Sequence, residues 1–244
     1  MVKSIPNTLT LINLSLGFLA VTALFRGDIV TAAWMVAAAM AADFLDGFAA
    51  RVLKAESETG RQMDSLADIV SFGLVPGLMI YYLKMNAASG IAWHVEPVGI
   101  NYGGINVYIF SMLFPVCAAI RLARFNSVPQ KSTHFSGLPS PAAAFMIASV
   151  VLAARYGYSD FIMMVVSNPV ALSLLSLITA LLMVTPVNML SLKGVSGGIR
   201  GSIPLFLLAA ITILLFILLG YAFAALIVPA YVVISLIFCR GKEG

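Results

Sequence analysis

Four aspartates, Asp43, Asp46, Asp64 and Asp68, fall within 26 positions of a chain that has only ten acidic residues. Asp43 and Asp46 are spaced i, i+3, and Asp64 and Asp68 i, i+4, so on helices each pair shares one face. Four carboxylates held together repel one another unless a cation compensates. An all-oxygen donor set suits Mg2+, Mn2+ or Ca2+ better than zinc. The chemistry on offer is therefore that of one or two divalent cations gathered by Asp43, Asp46, Asp64 and Asp68. Any one of the four, taken singly, reads equally well as an interfacial carboxylate that is solvated or paired with Arg51, Lys54 or Arg61. The helical spacing of all four together points to metal.

The elements that must carry these residues are membrane helices. Of the 244 residues, 61% are hydrophobic and 10% are charged, whereas a soluble domain has about 25% charged residues. Such a chain cannot cover a water-facing surface. Its long apolar runs fit helices and lack the two-residue alternation of a barrel. The pattern predicts an all-α integral membrane protein, a polytopic bundle of about eight transmembrane helices in one domain over 1–244. Spans are expected at Leu9 to Phe25, Ile29 to Ala50, Ser65 to Tyr82, Ile105 to Ala123, Pro141 to Ala154 and Pro169 to Met189. The stretch from Pro204 to Cys239 is too long for one span and divides into two near Gly220. Cys117 and Cys239 fall in apolar spans and read as packing residues.

Placing Asp43 and Asp46 near the end of the second helix and Asp64 and Asp68 at the start of the third, with a short loop between, makes the two helices antiparallel neighbours. Their carboxylates then meet in a cleft at the membrane boundary. One Asp at mid-bilayer costs at least about 2.5 kcal/mol on insertion scales, which a bound cation offsets. Lysine and arginine in the loops give the orientation. With the N-terminus in the cytoplasm, the inner side carries Lys3, Arg51, Lys54, Arg61, Arg121, Arg124, Lys131, Lys193, Arg200, Arg240 and Lys242. The outer side carries Arg26, Lys84 and Arg155. Both termini and the aspartates lie on the cytoplasmic side in this arrangement. The net charge of +4 mostly reflects that asymmetry and matches anionic lipids and substrates, with no nucleic-acid partner implied.

The residues between the aspartates sharpen the reading. The segment Asp43-Phe-Leu-Asp46-Gly47-Phe-Ala-Ala50-Arg51, then eight residues, then Gly60-Arg-Gln-Met-Asp64-Ser-Leu-Ala-Asp68 resembles the signature D-x2-D-G-x2-A-R-x8-G-x3-D-x3-D of the CDP-alcohol phosphotransferases. All eight specified residues and every gap agree over 43–68. The resemblance implies a metal-dependent enzyme that moves a phosphoalcohol group from a CDP-activated donor. Within it, Gly47 and Ala50 let a flat cytidine ring approach the helix, Arg51 neutralises a phosphate, and Gly60 lets the loop backbone pass close to the nucleotide. Small residues such as Gly47 and Ala50 also serve close helix packing, and Arg51 also anchors topology.

Further segments resemble one branch of that family, the membrane-type phosphatidylserine synthases. They are Ile5-Pro-Asn-Thr-Leu-Thr-Leu-Ile-Asn13-Leu, Asp64-Ser-Leu-Ala-Asp68-Ile-Val-Ser-Phe-Gly73-Leu-Val-Pro76, Ala119-Ile-Arg121-Leu-Ala-Arg124-Phe-Asn126 and Phe135-Ser-Gly137-Leu-Pro-Ser140-Pro-Ala. Ser191-Leu-Lys193 fits a later family motif loosely. The resemblance implies CDP-diacylglycerol and L-serine as substrates, phosphatidylserine and CMP as products, Mg2+ or Mn2+ as cofactor, and a homodimer. Asp43, Asp46 and Asp64 would hold metal, with Asp68 completing the sphere or acting as general base. Asn13, Asn126 and Ser140 would hydrogen-bond substrate. Arg121 and Arg124, spaced i, i+3, would hold the carboxylate of serine or a lipid phosphate. Direct displacement and a covalent phosphatidyl-enzyme are both compatible with these residues. Two rivals stand beside this expectation: a sibling transferase with glycerol 3-phosphate or inositol phosphate as acceptor, and a divalent-cation transporter. A cation path gains nothing from Arg51.

Overall fold

The computed structural model describes residues 4–55, 57–89, 105–127, 135–157, 160–189 and 224–239. Helix α1 covers Ser4–Phe25, α2 Ile29–Val52 and α3 Glu58–Asp68. A π-helical segment, Ile69–Leu74, continues from α3 into α4, Val75–Ser89. Then follow α5 (Ile105–Ser127), α6 (Ser140–Tyr156), α7 (Asp160–Ser167), α8 (Pro169–Val184) and α9 (Ala224–Cys239). The only non-helical element among the described residues is a two-residue antiparallel ladder, β1 (Phe135–Ser136) with β2 (Asn188–Met189). The all-helical expectation therefore holds.

Four helical stretches are long and apolar enough to cross a membrane: Ile5–Phe25, Ile29–Val52, Glu58–Ala87 and Ile105–Ser127. A fifth is reached if α6 and α7 together form one bent span. The described residues thus hold four to five candidate spans, where the sequence predicts eight. The expected first half of 204–239 and Ser191 to Lys193 lie outside the described residues. Large apolar side chains point outward along these helices, among them Phe18, Trp34, Phe44, Phe48, Met112 and Ile178. Such a surface suits lipid contact and would be a liability in water.

Two expected boundaries move. The span predicted to reach Met189 ends at Val184, because Thr185 precedes Pro186 and sits in extended backbone, as a residue before proline must. Asn188 and Met189 pair instead with Phe135 and Ser136. The stretch between the fifth and sixth expected spans holds α7, a helix of eight residues that is too short to cross a bilayer alone. Lys84, counted with the outer-side loop charges, is 2% exposed inside the bundle. Its ammonium donates to the Asn106 carbonyl (3.1 Å) and Ser173 Oγ (2.6 Å) and lies 4.5 Å from the Phe110 ring centre. Those partners offset the cost of burying the charge and tie α4 to the starts of α5 and α8.

The core that positions the cleft is built on small residues. A Cβ at Gly17 of α1 would lie 2.5 Å from Ser71 Oγ, and one at Gly77 of α4 would lie 2.8 Å from both Pro115 Cδ and the Ser111 carbonyl of α5. Gly73, one turn before Gly77, faces Ala118 and Pro115. The pair Gly73 and Gly77 is a small-xxx-small stripe on which α5 seats closely. Neither a proline ring nor a helix carbonyl can rotate away from an added methyl. Gly77→Ala should therefore cost about 1 to 3 kcal/mol, read as a lowered midpoint in thermal unfolding of the detergent-solubilised protein. An unchanged midpoint would show that α5 does not seat closely on Gly77. Gly137 is needed for a different reason. Its φ of +82° is left-handed, and a Cβ there would sit 2.6 Å from the Met183 carbonyl. It turns the chain from the ladder into α6, which begins at Ser140.

Candidate active site

Helix α2 brings Asp43 and Asp46 down one face, and α3 brings Asp64 and Asp68 up another. Between them the chain turns through Lys54, whose φ is +48°. The start of α3 is held by Ser57, whose Oγ accepts from Gly60 N at 3.0 Å, and by the Arg61–Glu58 pair at 2.8 Å. The result joins three of the four predicted ligands: carboxylate oxygens of Asp43, Asp64 and Asp68 all lie within 4.8 Å of one another. Asp64 Oδ1 is buried and has no hydrogen-bond partner among the described residues. Oxygens of three carboxylates so close, one of them orphaned, fit a divalent cation, since without one their mutual repulsion and the lost hydration go uncompensated.

Asp46 stands outside that trio. Its Oδ2 accepts a 2.7 Å hydrogen bond from Thr10 Oγ1 of α1. Asp46 does line, with Asp64, a cavity of about 500 Å³ beside the trio, and Gly47, Ala50 and Gly60 of the signature line it too. A Cβ on Gly47 would meet only the Arg51 guanidinium, at 3.5 Å, so Gly47 leaves the wall open and Arg51 folds back across it. Arg51 itself is exposed and does not line the cavity. Gly60 has a packing part as well: a Cβ there would lie 3.0 Å from Ser57 Oγ and 3.1 Å from Asn7 Oδ1, so its smallness lets α1 close on α3.

The remaining predicted residues gather around Asp68, with one exception. Asn13 is fully buried and its Nδ2 donates to Asp68 Oδ1 at 3.2 Å. Ser71, in the π segment after Asp68, donates to the Asn13 carbonyl at 3.0 Å. The Arg121 guanidinium donates to Ser140 Oγ at 3.0 Å. Asn126 Nδ2 donates to Ser65 Oγ at 2.8 Å, one turn from Asp68. Arg124 is the exception. It is exposed and donates to the Val184 carbonyl at the end of α8 (2.9 Å), where a cation complements the helix dipole. The i, i+3 spacing predicts one shared role for Arg121 and Arg124; the structure separates them.

Sequence reading passes over Asn7, Thr10, Arg61 and Phe125, all of which line the cavity. A signal for the first two was present. Asn7, Thr10 and Asn13 recur every three residues in an otherwise apolar helix, so they form one polar stripe, and polar groups in a membrane helix face the bundle interior. Phe125, by contrast, has nothing in its local sequence that distinguishes it from a lipid-facing aromatic.

Residues 3–175 match the family model described as CDP-alcohol phosphatidyltransferase. Every candidate residue from Asn13 to Ser140 lies within that range. The chain is 37% identical over 149 residues to the CDP-diacylglycerol--serine O-phosphatidyltransferase of Helicobacter pylori strain J99, covering 60% of this chain and 56% of that protein. It is 33% identical over 153 residues to the protein of that name from Bacillus subtilis, covering 62% and 76%. It is 31% identical over 174 residues to the archaetidylserine synthase of Methanothermobacter thermautotrophicus, covering 67% and 65%. Against the Helicobacter and Mycobacterium proteins the matched part spans about half of the relative's length.

Proposed function

The chain belongs to the CDP-alcohol phosphatidyltransferase family, and from that membership we propose that it transfers a phosphatidyl group from CDP-diacylglycerol to the hydroxyl of L-serine, giving phosphatidylserine and CMP. The observation that carries the proposal is the position of Asp64. It belongs at once to the carboxylate trio and to the wall of the cavity that Gly47, Ala50 and Gly60 keep open. A diphosphate reaching from a nucleotide in that cavity would arrive at the trio. Serine as acceptor is supported by the names of the three relatives, each of which is a serine enzyme.

Asp43, Asp64 and Asp68 would hold one or two divalent cations, with Asp46 reaching the same diphosphate from across the cavity. Mg2+ or Mn2+ suits these hard oxygen donors and, when bound, would withdraw charge from phosphorus and stabilise the departing CMP. Arg51, whose guanidinium lies beside Gly47, would neutralise a phosphate of the donor. In the overall transfer the serine oxygen becomes bonded to the lipid-linked phosphorus, and the bond from that phosphorus to the bridging oxygen breaks. CMP leaves with the bridging oxygen. Asp68 takes the hydroxyl proton, and Asn13 donates to one of its oxygens.

The site and both termini are assigned to the cytoplasmic side on the bias of lysine and arginine, eleven inside against Arg26 and Arg155 outside once the buried Lys84 is set apart. Eight crossings, with 204–239 as two of them, would keep both termini there. The homodimer rests on family resemblance alone.

The test is turnover by the purified protein with CDP-diacylglycerol, Mg2+ or Mn2+ and a panel of alcohols. CMP release should be fastest with L-serine, ahead of glycerol 3-phosphate, inositol phosphate and simple alcohols. Release with glycerol 3-phosphate at a tenfold higher kcat/KM would assign a sibling activity, and release with none of them would end the transferase reading.

A further inference from the structure

Resting on the reading of the cavity as a CDP-lipid site, we propose that Arg61 holds the cytidine-linked phosphate of the donor, and that Glu58 keeps its guanidinium parked at the cavity rim until the donor arrives.

The cavity beside the trio is short of positive charge. Its wall carries three carboxylates, Asp46, Glu58 and Asp64, and among the described residues one cation, Arg61. Asp64 belongs to the trio and Asp46 accepts from Thr10. Glu58 is held by Arg61 itself, whose Nη2 donates to Oε1 at 2.9 Å and to Oε2 at 2.8 Å. Gln62 Nε2 adds a 3.3 Å bond to Oε1. Both arginine bonds leave from one nitrogen, so they are not the two parallel bonds that make arginine–carboxylate contacts strong. The two side chains are 34% and 65% exposed, and an ion pair so solvated contributes little. A phosphate can therefore draw Arg61 away at small cost, and the released Glu58 already faces water.

The place of Arg61 on α3 selects the phosphate. Arg61 and Asp64 are spaced i, i+3 and share a face, with Arg61 one turn nearer the start of the helix, about 4.5 Å along the axis. Asp64 marks the reacting end of the cavity, where the trio gathers. The second phosphate of a diphosphate then falls beside Arg61. In the proposed transfer this is the phosphate that departs within CMP, and it gains negative charge as the bridging bond breaks. A guanidinium there stabilises that charge as it forms. Arg61 stands at an unspecified position of the signature, between Gly60 and Asp64, so the family pattern gives it no role. Arg51, which the pattern does specify, is exposed and outside the cavity wall.

The experiment titrates the full-length protein in detergent, at fixed Mg2+, with CMP and separately with cytidine, which lacks the phosphate. In Arg61→Ala the CMP Kd should rise about tenfold, the low end for a charged hydrogen bond because the side chain is partly exposed, while the cytidine Kd stays within about twofold. Arg61→Lys keeps the charge and should recover part of the CMP affinity. Glu58→Gln frees the guanidinium and removes a repelling charge, so CMP should bind about two- to fivefold tighter and cytidine no tighter. This opposite shift also keeps the test decisive if Arg61→Ala does not fold. If the Arg61–Glu58 pair only staples the first turn of α3, both variants lower the thermal midpoint and leave the ratio of CMP to cytidine affinity fixed, which overturns the assignment while the nucleotide site stands. If the unmutated protein binds neither CMP nor cytidine, the nucleotide reading of the cavity fails and the role of Arg61 with it.

Discussion

Replacing Asp68 by Asn is expected to abolish CMP release from CDP-diacylglycerol and serine, with kcat falling about 10²- to 10⁴-fold, the range attributed to a positioned proton acceptor. The substitution is close to isosteric. An amide oxygen at position 68 can still accept from Asn13, so the α1–α3 contact at 3.2 Å survives. Removing one of three crowded negative charges relieves repulsion in the cluster, so the folded protein should be no less stable. Binding of CDP-diacylglycerol should largely persist, because the cavity wall is made by Asp46, Gly47, Ala50, Gly60 and Asp64 and does not include Asp68. Since Asp68 also belongs to the trio, its two roles need separating. If it serves only as a ligand, raising Mg2+ or Mn2+ should restore turnover. If it takes the proton, saturating metal leaves the variant inactive. Near-wild-type turnover of Asp68→Asn would remove Asp68 from the chemistry altogether.

Removal of divalent metal is expected to be equally severe. After dialysis against EDTA, CMP release should fall to background and return when Mg2+ or Mn2+ is restored. Oxygens of three carboxylates lie within 4.8 Å of one another and Asp64 Oδ1 has no hydrogen-bond partner among the described residues, so the cluster in isolation is strongly unfavourable and its natural complement is a cation. Asp43→Asn takes one negative oxygen out of this set. It should weaken Mn2+ binding at least as much as loss of an outer-shell partner does at a metal site, roughly 10- to 100-fold, measured by titrating free Mn2+ without any substrate. The same titration on Thr10→Val should change little, because Thr10 bonds Asp46, which lies outside the trio. Full CMP release in EDTA, or unchanged Mn2+ affinity in Asp43→Asn, would dissolve the metal proposal.

By itself the sequence determined the features that depend on local geometry. Helical spacing is short-range, so Asp43 with Asp46, and Asp64 with Asp68, could be put on shared faces before any fold was known, and a short loop forced the two helices to lie antiparallel. The trio and the cavity wall of Gly47, Ala50 and Gly60 follow from that local arrangement. Composition likewise settled the helical class, because unpaired backbone groups cannot be tolerated in lipid. What only the tertiary structure decided is which face of one helix meets which face of a distant one. That Asp46 stands apart from the trio and bonds Thr10, 36 positions away, is such a pairing. The division of Arg121 from Arg124 depends on where α6 begins and α8 ends, at Ser140 and Val184. The burial of Lys84 depends on Ser173, 89 positions along the chain. These pairings are set by close packing at glycines such as Gly17 and Gly77, where fit between two helix surfaces selects one register. A period of 3.6 residues says which side chains share a face, and it carries no information about what that face will touch.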